Sequence, residues 1–179
     1  MERIAIISDI HGNLEALKAV LEDMRERRVN KIYCLGDIIA KGTHSKECLD
    51  LIFKDCEVVL KGNCEEILVG NIAMKSDLDE ARRAWNRNKL SDEDLKYLVS
   101  LPYCHEFYLS GRLVRLFHAT PKNIEGIVGN EDDIESLYSL FLSSENTLSQ
   151  EKADIIVYGH IHTQSLHRIY NRCVLNAGS

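Results

Sequence analysis

Residues 3–13, Arg3-Ile4-Ala5-Ile6-Ile7-Ser8-Asp9-Ile10-His11-Gly12-Asn13, run from a short apolar stretch straight into an acid and a histidine two positions apart. The stretch has the length and β-branched content of a buried strand. Asn13 then stands as a helix N-cap, and Leu14, Leu17, Leu21 and Met24 recur at helical spacing toward Arg27. A strand followed by an amphipathic helix is a βα unit, and this one leaves Asp9 and His11 in its connecting loop.

The pattern repeats. Residues 31–35 predict a second strand, followed by a loop with Asp37 and Gly42 and a helix over 45–54; residues 57–60 predict a third strand. Alternating strands and helices imply parallel pairing with right-handed crossovers. Successive strands then deliver their carboxyl ends, and Asp9, Asp37 and Asn63 with them, to one sheet edge. From 65 to 101 the pattern is helical, over 65–73, over 79–87, and in a segment opened by Ser91 with Asp94 three residues on, the spacing of a capping box. A hairpin over 106–109 and 113–117 turns at Ser110-Gly111 and ends on His118. A helix over 133–142, a buried strand over 154–158 feeding Gly159-His160-Ile161-His162, and a hairpin of 165–170 and 173–175 around Asn171-Arg172 complete the chain. The expected domain organisation is one domain over 1–179 with a helical insert at about 65–101.

Composition narrows the function. Hydrophobic content of 45%, charged content of 28% and a length of 179 residues suit a globular domain with its own core. No apolar run approaches the roughly 20 residues of a membrane span, and the first apolar run is too short for a signal peptide, so a cytoplasmic protein without a membrane role is expected. Six cysteines without CxxC pairing suit reduced thiols rather than a disulfide framework. A net charge of -6 argues against an extended nucleic-acid surface. An anionic substrate would have to be recognised locally, by bound cations.

Asp9, His11, Asp37, Asn63, His118, His160 and His162 each follow a strand-like run. Their mixture of imidazole, carboxylate and neutral oxygen suits two adjacent divalent ions roughly 3.5–4 Å apart. That donor set fits manganese best, with iron, nickel, cobalt or zinc as other choices, and lacks the thiolates of a closed structural zinc site. Taken singly the signals are weak. Asp-x-His recurs by chance, and Gly-Asp is ordinary after strands. Their joint order is what carries information.

In order, DIHGN (9–13), GDIIAKG (36–42), GNCE (62–65), FHATP (117–121), GHIH (159–162) and NAGS (176–179) resemble the calcineurin-like metallophosphoesterases, and most of all their small bacterial and archaeal phosphodiesterase-type members. The resemblance implies a four-layer αββα sandwich. It implies that Asp9, His11, Asp37 and His162 hold one ion and that Asp37, Asn63, His118 and His160 hold the other, with Asp37 bridging. The implied activity is a dinuclear-metal phosphoesterase, acting on diesters rather than monoesters, in which a bridging hydroxide attacks phosphorus in line. Asp37, Asn63 and Cys64 are the expected catalytic positions. The substrate would be a small phosphoester, a nucleotide ester among the candidates, and assembly into a homo-oligomer is left open.

Three features depart from the family pattern. Cys64 replaces the histidine of GNH, and a thiol is a poor general acid for an alkoxide; slow turnover and a preference for aryl diesters follow. Cys64 is alternatively a redox-sensitive thiol, an extra ligand or an inert spacer. Ala119 stands where glycine is common, and the chain stops at Ser179 where relatives often continue, so it is a minimal form or a piece. The lost histidine also suits a rival reading, a catalytically weak scaffold of the same fold that binds a protein partner, as in the small phosphoesterase-like subunit of the retromer coat. His44, His105 and His167 read as surface or satisfied histidines, Asn176 as a loop-shaping residue, and Glu65 as a residue orienting its loop. Arg82, Arg83 and Arg87 around Trp85 read first as a solvated helix face with the indole packed inward; the alternative is recognition of phosphate and base. Lys41, near the bridging carboxylate, is equally ambiguous.

Overall fold

The computed structural model describes residues 2–70, 76–129 and 132–178. Three parallel strands, β1 (Ile4–Ile7), β2 (Lys31–Cys34) and β3 (Val58–Val59), form one sheet in that order. They are joined by helices α1 (Leu14–Glu26) and α2 (Ser45–Asp55). Helices α3 (Asn63–Val69), α4 (Asp77–Arg87) and α5 (Asp92–Ser100) follow. The second sheet orders β4 (Cys104–Leu109), β5 (Arg112–Phe117), β6 (Ile155–Tyr158), β8 (Arg172–Asn176) and β7 (Ser165–Ile169), and α6 (Ile134–Ser139) lies between β5 and β6 in the chain. Its central pairs β5–β6 and β6–β8 are parallel, and its two hairpins are antiparallel.

Side-chain alternation explains the layering, because successive residues of a strand point to opposite faces. Ile4, Ile6 and Tyr33 of the first sheet pack with Val114, Leu116, Ile155, Val157 and Leu175 of the second, forming the layer between the sheets. The intervening Ala5, Ile7, Ile32 and Cys34 face the other way, into a core with Leu17, Leu21, Cys48, Ile52, Leu68 and Leu98 from the helices. On the second sheet Leu113, Phe117, Ile156, Tyr158 and Val174 pack on Leu137 and Phe141 at and beyond α6. The result is helix, sheet, sheet, helix, the sandwich that the resemblance implied.

Caps fall where the side chains supply them. Asn13 accepts from the Ala16 N–H at 3.2 Å, and Ser91 with Asp94 forms the capping box of α5. Boundaries moved where local chemistry competed with periodicity. Helix α3 starts at Asn63, inside the motif, and ends on Gly70, whose left-handed backbone (φ 93°) stops it; expected helical positions 71–73 lie outside the described residues. The helix expected over 133–142 is shorter, with Asp133 as its N-cap. The last hairpin turns one residue earlier than expected, at Tyr170-Asn171, where Tyr170 takes a positive φ of 56°. All six cysteines are free, and no helix among the described residues is long and apolar enough to cross a membrane.

Candidate metal centre

The site is an extension of the strand ladders beyond the strands themselves. Past β1 and β2 the two loops stay zipped by Asp9 N–H to Gly36 O (3.1 Å), His11 N–H to Asp37 O (2.8 Å) and Gly12 N–H to Ile38 O (2.8 Å). Past β5 and β6, Gly159 N–H donates to His118 O at 2.8 Å. Two contacts close the gap between sheets: His118 Nδ1 lies 3.0 Å from Leu35 O, and His160 N–H donates to Asp9 Oδ2 at 3.0 Å. The carboxyl-end loops of both sheets thus meet at one place. Such approach needs glycine, since a Cβ on Gly62 would fall on the Asp37 carboxylate and one on Gly159 on Ser8.

All seven residues singled out as ligands converge. Asp37 Oδ2 is 3.6 Å from His11 Nε2, while its Oδ1 is 3.5 Å from His118 Nε2. Asp9 Oδ1 is 3.3 Å from His162 Nε2, which lies 3.0 Å from His11 Nε2. Asn63 Oδ1 sits 3.1 Å from His118 Nε2 and 3.0 Å from His160 Nδ1. Asp37 therefore turns one oxygen to the Asp9, His11 and His162 group and the other to the Asn63, His118 and His160 group. Five of the seven, Asp9, His11, Asp37, His160 and His162, hold positive φ between 49° and 69°. Non-glycine residues rarely adopt that conformation, and its concentration here marks strain held by the surrounding loops.

The electrostatics of the site suit a bound cation. Burial pushes Asp37 up to about 6 against an ordinary 3.8. Glu65 rises to about 7, through burial and the Asp37 charge. Burial lowers His11 to about 4, with Lys41 adding to the shift, and also lowers His118 and His160. Neutral imidazoles offer lone pairs, and His118 in particular can donate Nδ1–H to Leu35 O, leaving Nε2 as the acceptor facing the site. Asp9 Oδ1 is buried with no hydrogen-bond partner. A buried carboxylate oxygen without a donor is costly, and a divalent ion is the partner that this donor set of imidazole, carboxylate and amide oxygen would satisfy. The donors present fit the group.

Supporting residues emerge that periodicity could not reveal. Glu65, 0% exposed, accepts from Asp37 N–H and Gly62 N–H, both at 2.8 Å, and from Ile38 N–H at 3.0 Å, so one carboxylate clamps the Asp37 loop. Cys64 is no inert spacer. Its N–H donates to Asp37 Oδ1 at 2.8 Å and its Sγ–H to Oδ2 at 3.2 Å, while burial pushes the thiol well above its ordinary range, the reverse of an activated thiolate. Lys41 Nζ lies 3.0 Å from His11 Nε2. Asn176 shapes its loop as expected, donating to Gly159 O and accepting from Gly178 N–H. His44 is an exposed residue preceding α2, His105 packs against both Tyr33 and Phe107, and His167 has a buried Nε2 without a partner among the described residues, contrary to the expectation of a satisfied ring. Trp85 is 42% exposed with Lys89 Nζ over its ring at 3.5 Å, so the indole is not packed inward.

The chain is similar to known proteins in sequence and in fold. The chain is 40% identical over 128 residues to the uncharacterized protein MJ0912 of Methanocaldococcus jannaschii, a match covering 68% of this chain and 51% of that protein, so the chain spans about half the length of that relative. A protein of unassigned function from Pyrococcus horikoshii, PH1004, superposes with a TM-score of 0.82 at 17% identity, covering 100% of this chain and 77% of that one. A metallophosphoesterase from Sphaerobacter thermophilus superposes at 0.72 with 24% identity, covering 98% and 75%. The family model for the calcineurin-like phosphoesterase superfamily domain matches residues 2–179. With that match over nearly its whole length and the convergent acid, amide and imidazole donors just described, the chain belongs to the calcineurin-like phosphoesterase superfamily.

Proposed function

We propose that this protein is a dinuclear-metal-dependent phosphoesterase that acts on diesters in preference to monoesters. The observation that carries the reading is the Asp37 carboxylate, whose two oxygens face separate donor groups at 3.6 and 3.5 Å. Asp9, His11, Asp37 and His162 would hold one ion, and Asp37, Asn63, His118 and His160 the other, with manganese the expected metal and iron, nickel, cobalt or zinc as alternatives. When bound, two such ions supply a nucleophile from water at neutral pH and neutralise charge on phosphorus oxygens.

The remaining work falls to the chain. Glu65 fixes the backbone around Asp37, and Asp9 Oδ2 is pinned by the His160 N–H, leaving Oδ1 to face the imidazoles. Cys64 positions the Asp37 carboxylate through both its N–H and its thiol. With its proton committed there and its pKa raised, it does not protonate a departing alkoxide, so esters with good leaving groups, such as aryl diesters, are the preferred substrates. Two divalent ions over two ligating carboxylates leave net positive charge, which reconciles an anionic substrate with a chain of net charge -6.

Chelator treatment is expected to abolish hydrolysis of bis(p-nitrophenyl) phosphate, manganese to restore it, and Asp37→Asn to be inactive. Hydrolysis that survives complete metal stripping would sink the mechanism. Bound metal with no hydrolysis across monoesters, diesters, cyclic nucleotides and dinucleoside polyphosphates would instead favour the partner-binding scaffold.

A further inference from the structure

A cleft of about 530 Å³ opens beside the metal centre between α4 and the loop carrying Glu125 and Ile127. Asn63, Cys64 and His160 are among its lining, so it is continuous with the proposed ligands on the side of the second ion. The size is that of a site for a small organic molecule, several times what one phosphate group needs. Two apolar side chains, Ile67 and Ile127, are among its lining, and Ile127 is 76% exposed. Arg82 and Arg83 line the α4 wall, with Asp79 and Glu125 as the acids on the same cleft.

The two arginines differ in their freedom. Arg83 is tied to Leu68 O at 3.4 Å and pairs with Glu80 at 3.6 Å. Among the described residues the Arg82 guanidinium pairs with Asp79 at 3.6 Å, with both side chains well exposed, a contact that yields readily to a better anion. The wall itself is fixed. Asn86, 2% exposed, donates to Arg82 O at 2.9 Å and accepts from Ser45 Oγ at 2.6 Å, and the same Ser45 Oγ accepts the Ala40 N–H at 3.2 Å. Helix α4 is thereby bolted to the loop that carries Asp37 and Lys41.

We infer that this cleft is the subsite for one organic substituent of the diester, and that it takes a nucleotide: a flat, largely apolar body against Ile67 and Ile127, with a further phosphate reaching Arg82. The inference rests on the phosphoesterase reading and adds the substrate class to it. Arginine suits the role because its planar fork pairs with phosphate oxygens two at a time. A plain phosphomonoester would leave the cleft unfilled.

The test uses the full, manganese-loaded chain and two chromogenic diesters, thymidine 5′-(p-nitrophenyl phosphate) with and without a 3′-phosphate. The wild type is expected to show a KM about tenfold lower for the phosphorylated compound, and Arg82→Ala to erase the difference while changing kcat/KM for bis(p-nitrophenyl) phosphate by less than about twofold. Binding of thymidine 3′,5′-bisphosphate, followed by titration calorimetry, should weaken about tenfold in the same variant. Arg82 is exposed, so its removal leaves the fold intact. Equal KM values for the two thymidine esters, or a uniform loss on all three substrates in Arg82→Ala, would overturn the subsite while leaving the phosphoesterase reading standing. Hydrolysis of none of the three would count against that reading instead, and the calorimetric titration would then decide the cleft alone: weakened binding in Arg82→Ala supports it, and unchanged binding refutes it.

Discussion

Buried charge sets the behaviour of single residues here. Asp37 and Glu65 have folded-state pKa values of about 6 and about 7, above their ordinary 3.8 and 4.5. A raised carboxyl pKa means that the native state binds more protons than the unfolded chain between the two values. The stability these groups contribute is complete below about pH 4 and is lost as pH rises through 6 and 7. Chelator-stripped protein should therefore show a falling contribution from these carboxyls between about pH 4 and 7, which Asp37→Asn removes in part; thermal melts of both proteins across that range check it. Proton competition makes metal affinity rise over the same window. Cys64→Ala, which removes the thiol from Asp37 Oδ2 while keeping the backbone donor, should weaken metal binding on the order of tenfold without abolishing it, measurable by calorimetry. Unchanged affinity would show the thiol contact to be incidental. These residues were half legible: DxH, GD and GHxH announce candidate ligands, but that Cys64 turns inward to a carboxylate depends on a neighbour 27 positions away.

Among the elements, strand β5 carries the largest surprise. Its run Leu113-Val114-Arg115-Leu116-Phe117 reads as a strand, and alternation puts Arg115 on the same face as Leu113 and Phe117, toward α6. There it is 0% exposed, donating to Glu106 Oε1 at 2.7 Å and to the carbonyls of Phe141, Leu142 and Glu151. One guanidinium fastens both the neighbouring strand and the chain that follows α6. Arg115→Met should cost about 3–5 kcal/mol in denaturant unfolding, because Glu106 would be left buried and unpaired, and Glu106→Leu added to it should recover much of the loss. A cost below about 1 kcal/mol would mean that the pair is dispensable. The strand was readable from β-propensity and length. The burial of its arginine was not, since a lone basic residue in an apolar run defaults to the surface until the opposing carbonyls are known.

For the molecule as a whole, the candidate metal centre lies across the seam of two sheets whose facing side chains form the apolar layer around Tyr33, Leu116 and Val157. Ions bound across that seam stabilise the native state by mass action, about 4 kcal/mol at a thousandfold excess over Kd. Manganese should accordingly raise the melting temperature in a concentration-dependent way in the wild type and leave Asp37→Asn much less affected; identical shifts in both would place the bound metal elsewhere. The order of elements, the alternation in each strand and the sequence of ligand motifs were fixed by the chain alone, because periodicity, capping side chains and glycine punctuation are local properties that act before any distant contact forms. What only the folded molecule decided is which oxygen of Asp37 meets which imidazole, that Glu65 holds the Asp37 loop, and that α4 stands as a wall beside the ligands. Those depend on loops separated by up to 151 positions being packed to within a hydrogen bond of one another, as His160 N–H is with Asp9 Oδ2, and no local pattern encodes a distance of that kind.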